Sequence, residues 1–307
     1  MKKARILHNP GAGAGAFTKQ DLLAKLSAQG LECSYSSTKK PGWQEMDDEA
    51  DLVVVAGGDG TVRKVAQALV GRRLLDPQFI IGVLPLGTAN NISKTLHNGY
   101  TPNEIMDGWQ KQRIRKFDIG SVIGVPEQHF FIEGLGMGVF PELMKKMKAL
   151  SKEYDHPKEE LKSALELLYD IIMDYKPRHC RLEIDGRDYS GKYLMVEIMN
   201  IPSVGPNLFL APDADPGDGC FDVVLVPDRD QNKLAFYVHH KTQGIEDPFD
   251  FEIVRGKKIH FQWDGGSMHV DDQLVKNEKK KQVMVTLNEG LLRFLALADK
   301  TQPPATL

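Results

Sequence analysis

Asp51-Leu52-Val53-Val54-Val55-Ala56-Gly57-Gly58-Asp59-Gly60-Thr61-Val62-Arg63-Lys64-Val65-Ala66 is a short β-branched apolar run, a glycine-rich turn and the start of a helical sequence. The apolar run reads as a strand buried on both faces. Strand, glycine turn and helix together make a phosphate-holding arrangement. Glycines let the backbone come close, and the amides of a helix N-terminus face an anion. Asp59 in the turn would repel bare phosphate, which points to a metal ion bridging the two. The same residues also suit a tight strand-to-helix turn with Asp59 as N-cap. Turn chemistry alone leaves both readings open.

A second stretch repeats the pattern: Ile80-Ile81-Gly82-Val83-Leu84-Pro85-Leu86-Gly87-Thr88-Ala89-Asn90-Asn91, a buried strand, a Gly/Thr/Asn turn and a helix from Ile92. The pair resembles the catalytic domain of the diacylglycerol kinase family, which includes sphingosine, ceramide and bacterial lipid kinases. That family carries a Gly-Gly-Asp-Gly-Thr loop and, after the next strand, a Pro-x-Gly-Thr-x-Asn element.

The 307 residues suffice for one large or two medium domains, with 41% hydrophobic and 26% charged residues. A net charge of -3 implies no global pull toward nucleic acid or anionic membrane. Cys33, Cys180 and Cys220 lack ligand spacing, which argues against a disulfide framework or a zinc site and suits a reducing cytosol. Met1-Lys2-Lys3 leads directly into a strand, without an apolar leader. No apolar run reaches the roughly 18 residues of a membrane span. A cytoplasmic location is expected, with any membrane contact peripheral.

Ala4–His8 reads as the first strand, followed by Asn9-Pro10-Gly11-Ala12-Gly13-Ala14-Gly15-Ala16 and a helix from about Lys19 to Gln29. Gly11-x-Gly13-x-x-Ala16 fits a dinucleotide fingerprint, but the next strand, Glu32–Ser36, leads into Ser37 and Thr38 and not into the acidic residue that holds a ribose. NAD binding of that kind is rejected. The lipid kinase family has an Asn-Pro-x-(Ser/Ala)-Gly element here. The resemblance implies nucleotide contact by Asn9, Pro10, Gly11, Ala12 and Gly13, and by Thr38. Strands at Leu52–Ala56 and Ile80–Leu84 alternate with helices at Val62–Val70, Ile92–Leu96 and Glu104–Gln112. They predict an α/β domain with a mostly parallel sheet and helices on both faces.

From Asp118 the pattern becomes β-rich: Lys116–Ile123, Gln128–Glu133, Arg181–Ile184, Gly191–Asn200, Cys220–Val226, Lys257–Trp263, Gly266–Val270 and Gln282–Leu287. With turns such as Asp185-Gly186 they predict an antiparallel sandwich or barrel. A helical insertion covers 141–176, where Leu161, Leu165, Leu168, Ile172 and Tyr175 form an apolar stripe, read as core packing or as a lid. The resemblance returns Leu291–Leu297 to the first domain. The expected domains are 1–117 plus about 291–307, binding nucleotide, and 118–290, binding a lipid, with a cleft between them. Gln302-Pro303-Pro304 reads as a loose tail.

Three places in the second domain carry candidate chemistry. Asp118 lies at the domain junction. Its Asp-hydrophobic-Gly context matches a family Asp linked to metal and nucleotide; alternatively it caps a strand edge. The loop Ala211-Pro212-Asp213-Ala214-Asp215-Pro216-Gly217-Asp218-Gly219-Cys220 is acidic and suits either a hard cation or solvent. The family has a structural magnesium here. The resemblance implies Asp215, Asp218 and the Cys220 carbonyl as ligands. In His269-Val270-Asp271-Asp272-Gln273, Asp271 matches the first residue of the family's Asp-Gly-Glu triplet, the general base. The alternative is a hairpin turn with two Asp residues.

Several positions depart from the family pattern. Asp272 and Gln273 replace Gly and Glu, Asn91 replaces a common Asp, Arg63 a common Asn, and Glu133 another Asn. A divergent substrate and a loss of activity explain these equally well. Arg63 either touches phosphate or is solvated.

The first reading is an ATP-dependent lipid kinase that moves the γ-phosphoryl group of Mg-ATP to a lipid hydroxyl. Gly57, Gly58, Asp59, Gly60, Thr61, Val62 and Arg63, with Gly87, Thr88 and Asn90 and the first glycine loop, would hold ATP. Asp59 and Asp118 would arrange Mg²⁺ through water, and Asp271 would be the base. The alternatives are a kinase of a soluble alcohol, NAD kinase-like, and a nucleotide-binding regulatory module without turnover. The expected partners are a lipid and a peripheral membrane surface, with Lys276 and Lys279-Lys280-Lys281 facing anionic headgroups or solvent, and no nucleic acid. The oligomeric state stays open, a homodimer included.

Overall fold

Val53, Val54 and Val55 are fully buried, as a strand covered on both faces requires. The computed structural model describes residues 2–15, 17–45, 50–72, 78–150, 157–276 and 281–297. The chain divides into two compact units, 1–117 with 290–307, and 118–289. The tail at Gln302–Pro304, as well as Lys279, Lys280 and Ala16, lies outside the described residues.

Unit 1 contains β1 (Lys2–His8), α1 (Lys19–Ala28), β2 (Leu31–Ser37), β3 (Leu52–Gly57), α2 (Asp59–Val70), β4 (Ile80–Pro85), α3 (Asn91–His97) and α4 (Pro102–Asp107). β1 pairs in parallel with β2 and β3, and β3 with β4. Side chains alternate across the strands. Ile6, Val54 and Ala56 join Leu22 and Leu26 of α1 and Ile105 and Met106 of α4 in one cluster. Val53 and Val55 point the other way; α2 lies along β3 and α3 along β4. Thr18 and Thr101 start α1 and α4 with capping boxes closed by Asp21 and Glu104. The helix expected over Glu104–Gln112 stops at Asp107. A 3₁₀ turn, Trp109–Lys111, follows Gly108 and seats Trp109 on the sheet.

The last strand of the unit comes from the far end of the sequence. Phe294 pairs in parallel with Ile81 of β4, and its ring lies 4.8 Å from that of Phe117. Beside it the Leu297 amide donates to His97 Nδ1 at 3.3 Å, which fixes His97 with a bare Nδ1. Burial pushes the His97 pKa down from 6.5 to about 4. A depressed histidine pKa makes its stability contribution complete above pH 6.5. That contribution is lost as pH falls toward 4, up to about 3 kcal/mol. Urea unfolding at pH 7.5 and 4.5 should show a larger loss for the native chain than for His97→Gln. Equal losses would remove His97 from the account.

Unit 2 is entered within β5 (Arg113–Ile123) and left within β18 (Val283–Ala296). Between them come β6 (Phe130–Phe131), β7 (Gly134–Gly138), α5 (Val139–Leu150), α6 (Pro157–Asp174), β8 (Arg178–Ile184), β9 (Arg187–Asp188), β10 (Gly191–Met199), β11 (Ser203–Val204), β12 (Leu208–Phe209), β13 (Phe221–Pro227), α7 (Gln231–Thr242), β14 (Glu252–Gly256), β15 (Lys258–Trp263), β16 (Ser267–Val270) and β17 (Gln273–Lys276). The order β17-β16-β7-β10-β8-β15-β18 is antiparallel throughout, with β13 and β14 branching from β10. One face of β10, with Val196 and Ile198, packs against Phe221, Phe261 and Trp263. Leu194, Met195 and Met199 join the other cluster, with α5, α6 and α7.

The Asp185-Gly186 turn has positive φ at both residues, 46° and 80°, as a two-residue hairpin with the twist of its strands demands. The helical insertion consists of two helices, α5 starting at Val139. Leu165, Leu168 and Ile172 are buried in the core of the unit, so the stripe is packing. The strand expected over Gln128–Glu133 shortens to Phe130–Phe131, because the amides after it are taken by a side chain described below. α7 and β14 are additional to the expected elements.

Candidate functional site

In unit 1 the sequence-predicted nucleotide residues gather at the carboxyl ends of four parallel strands: Asn9–Gly13 after β1, Thr38 after β2, Gly57–Arg63 after β3 and Gly87–Asn90 after β4. Such an edge is where open α/β sheets bind ligands. The loops are tied to one another. The Asn9 amide group donates to Thr61 Oγ1 at 3.3 Å, and Asn9 N–H to Ala56 at 2.9 Å. Thr38 donates to the His8 carbonyl through N–H at 2.8 Å and through its hydroxyl at 3.2 Å. Leu86 N–H reaches the Gly57 carbonyl at 3.0 Å. Asn90, in the left-handed region at φ 53°, closes its loop on Gly87 with two bonds of 2.8 and 2.7 Å.

Gly58 and Gly87 lie back to back. A Cβ on Gly58 would sit 2.9 Å from the Gly87 Cα, and one on Gly87 would sit 2.5 Å from the Gly58 Cα. Only hydrogen fits there, so the two loops touch main chain to main chain. Thr88 at its rim is exposed. Arg63 is 6% exposed and therefore not a solvated side chain.

Asp59 is the first residue of α2, with Gly58 as the N-cap. Its carboxylate crosses to the next loop and accepts from the amides of Asn91 at 2.9 Å and Ile92 at 3.0 Å. It therefore caps α3, a helix 32 residues further on. Lys94, an exposed residue, stands close by; partial desolvation lowers its pKa and the Asp59 charge opposes that. Because the cap is independent of any ligand, Asp59→Ala should destabilise the nucleotide-free protein by about 1 kcal/mol, read as a lower urea midpoint. An unchanged midpoint would mean that Asp59 has no such structural duty.

In unit 2, Asp118 and Asp271 belong to one hydrogen-bond network. The Asp118 carboxylate accepts from Gly219 N–H at 2.9 Å and is 2% exposed. The Asn200 side-chain amide donates to the carbonyls of Asp118 and Ile132, both at 2.9 Å. The amides of Ile132, Glu133 and Gly134 donate to the Asp271 carboxylate at 3.1, 2.8 and 3.2 Å. Asp271 is 7% exposed, in the β16–β17 turn at φ 51°. Three convergent amides thus fix the direction of the Asp271 carboxylate. Glu133, with its amide on Asp271, is buried beside it.

The acidic loop is folded around its own carboxylates. Asp215 accepts from Gly217 N–H at 2.8 Å and Asp218 from Cys220 N–H at 3.0 Å. Asp218 also pairs with the Arg255 guanidinium. Among the described residues no three His, Cys, Asp or Glu side chains converge as a metal site. A cation in this loop would rely on main-chain oxygens beside Asp215 and Asp218.

Asn200, and the pair Glu197 and His269 behind Asp271, are not singled out by the sequence. His269 stands two residues from Asp271, which is the only trace they leave there.

Residues 3–122 match the family model described as diacylglycerol kinase catalytic domain. Residues 146–273 match the one described as YegS C-terminal NAD kinase beta sandwich-like domain. A diacylglycerol kinase of Bacillus subtilis (strain 168) is 29% identical over 95% of this chain and 88% of its own length. A diacylglycerol kinase of Staphylococcus aureus (strain NCTC 8325 / PS 47) is 28% identical over 79% of this chain and 76% of its own. A solved Bacillus anthracis str. Sterne diacylglycerol kinase superposes with a TM-score of 0.69 at 20% identity, covering 96% of this chain and 97% of that one. At that identity the likeness shows the fold. The two matched segments and the curated relatives agree on the class: residues 3–122 carry a diacylglycerol kinase catalytic domain, residues 146–273 a YegS-like C-terminal domain, and the chain as a whole is similar to diacylglycerol kinases, which are lipid kinases.

Proposed function

We propose that the chain is an ATP-dependent kinase that phosphorylates the hydroxyl of a diacylglycerol-like lipid. The observation that carries this reading is the pair of glycine loops, Gly58 packed against Gly87, at the carboxyl edge of the parallel sheet. It suits a polyphosphate, with the N-terminus of α2 facing it. Asn9–Gly13, Thr38, Gly57–Arg63, Gly87, Thr88 and Asn90 would hold the nucleotide. Mg²⁺ would neutralise the phosphate oxygens, with Asp59 and Asp118 as water-mediated partners. Asp215, Asp218 and the Cys220 carbonyl would serve a second, structural Mg²⁺. The Asp271 carboxylate takes the proton of the acceptor hydroxyl as its oxygen bonds to the γ-phosphorus and ADP leaves. Catalysis then rests on positioning and charge neutralisation. Among the described residues no helix is long and apolar enough to cross a membrane. Contact with a lipid surface would be peripheral, with Lys276 exposed toward it.

The test uses ATP labelled at the γ- or the α-phosphate, incubated with mixed detergent–lipid micelles. Label in the lipid extract from γ- but not α-labelled ATP supports the reading. No label from either contradicts it. One observation favours a second reading: residues 146–273 match a domain described as NAD kinase beta sandwich-like, and NAD kinases act on a soluble alcohol.

A further inference from the structure

A buried acid–histidine pair stands directly behind Asp271. β10, β7 and β16 are neighbours, and Glu197 and His269 both lie opposite Gly136 of the middle strand. A Cβ on Gly136 would sit 1.9 Å from Glu197 Oε2, so only a glycine lets the two side chains meet across that strand. They meet at 2.9 Å, Glu197 Oε2 to His269 Nε2, at 0% and 2% exposure. The other ring nitrogen, Nδ1, lies 3.0 Å from the Asp271 carbonyl oxygen. A carbonyl only accepts, so Nδ1 carries a hydrogen. The Nε2 contact then contains one further proton, on the ring or on the carboxylate. Burial pulls the His269 pKa down, and the Glu197 carboxylate and the Asp271 carbonyl outweigh it, leaving the ring above its ordinary value.

We infer that Glu197 and His269 are positioning residues for Asp271, an inference that rests on Asp271 being the base of the proposed reaction. Three groups fix Asp271: its own N–H on the Gly134 carbonyl at 2.8 Å, its carboxylate on the amides of residues 132–134, and its carbonyl on His269. Asp271 is in the left-handed region, open to Asp more than to most side chains, and a constraint is needed to hold it there as a single conformation. His269 supplies that constraint, and Glu197 fixes the ring's tautomer and direction, as the acid of a catalytic triad does for its histidine. A fully buried ion pair adds little stability over apolar residues of the same volume, so orientation is the better account of its presence.

The test compares the native chain with His269→Phe and with Glu197→Leu/His269→Phe. His269→Phe leaves Glu197 buried alone and should lower the melting temperature strongly; the double variant, apolar on both sides, should recover most of it. In both variants kcat for lipid phosphorylation should fall on the order of 100-fold with KM for ATP unchanged, since the base is displaced and the nucleotide loops are untouched. If kcat recovers together with the melting temperature in the double variant, the pair is structural and the inference falls. Amide hydrogen exchange gives a readout independent of turnover. Faster exchange at Ile132, Glu133 and Gly134 in the double variant supports the inference, and native exchange there overturns it. Should the native chain label no lipid, the proposed function fails while the exchange result still decides this inference.

Discussion

Asp271→Asn should lower lipid phosphorylation by a factor of about 10² to 10⁴, the range of a lost general base, with the fold and ATP binding retained. The substitution is nearly isosteric and loses one contact, the second bond from Ile132 N–H to Oδ2 at 3.1 Å, where Asn places its amide nitrogen. Asp271 Oδ1 accepts from all three amides of residues 132–134, and the carbonyl oxygen of Asn can keep those bonds. The left-handed backbone at φ 51° also suits Asn. What Asn lacks is a basic lone pair for the acceptor proton. Circular dichroism and ATP titration should therefore match the native chain while initial rates collapse. Equal rates would mean that another group takes the proton.

Gly87→Ala should disable the nucleotide site from the other unit. The new Cβ would stand 2.5 Å from the Gly58 Cα and 2.9 Å from Asn90 Oδ1. Neither neighbour can yield cheaply: one is main chain, and the other is held to Gly87 by two hydrogen bonds. The two loops must part, stretching the Leu86–Gly57 bond of 3.0 Å. Overpacking of this kind costs about 1–3 kcal/mol. ATP affinity should fall at least about tenfold, 1.4 kcal/mol in binding. Urea unfolding and calorimetric titration measure the two separately. Native values in both would show that the close glycine contact is not what shapes the site.

The parts legible in the sequence are those whose chemistry is local. Val53-Val54-Val55 followed by Gly57-Gly58-Asp59 announces a buried strand and an anion loop within ten residues, and the repeat at Ile80–Asn91 gives a second one. The antiparallel half is legible through its turns, Asp185-Gly186 among them. Long-range pairings leave no local mark. That Asp59 caps α3 depends on β3 and β4 lying side by side, which brings residues 32 apart to one point. Glu197 and His269 are 72 residues apart, each flanked on both sides by apolar residues of its strand, and only the register across Gly136 joins them. α7 escapes because Leu234, Ala235, Tyr237 and Val238 bunch within two turns and suit a strand as well as a helix. Gln128–Glu133 keeps only Phe130–Phe131 as strand because the Asp271 side chain, not a neighbouring strand, satisfies the amides at its end.

The most direct test of the central claim is the identity of the phosphorylated acceptor. γ-Labelled ATP would be offered to the full chain with micelles of diacylglycerol, sphingosine and phosphatidylglycerol, in parallel with soluble alcohols including NAD, and the label in organic and aqueous products counted. Label should enter a lipid, dependent on Asp271, and none should enter the soluble alcohols. Label confined to a soluble alcohol, or ATP bound with no transfer to any acceptor, would contradict the claim.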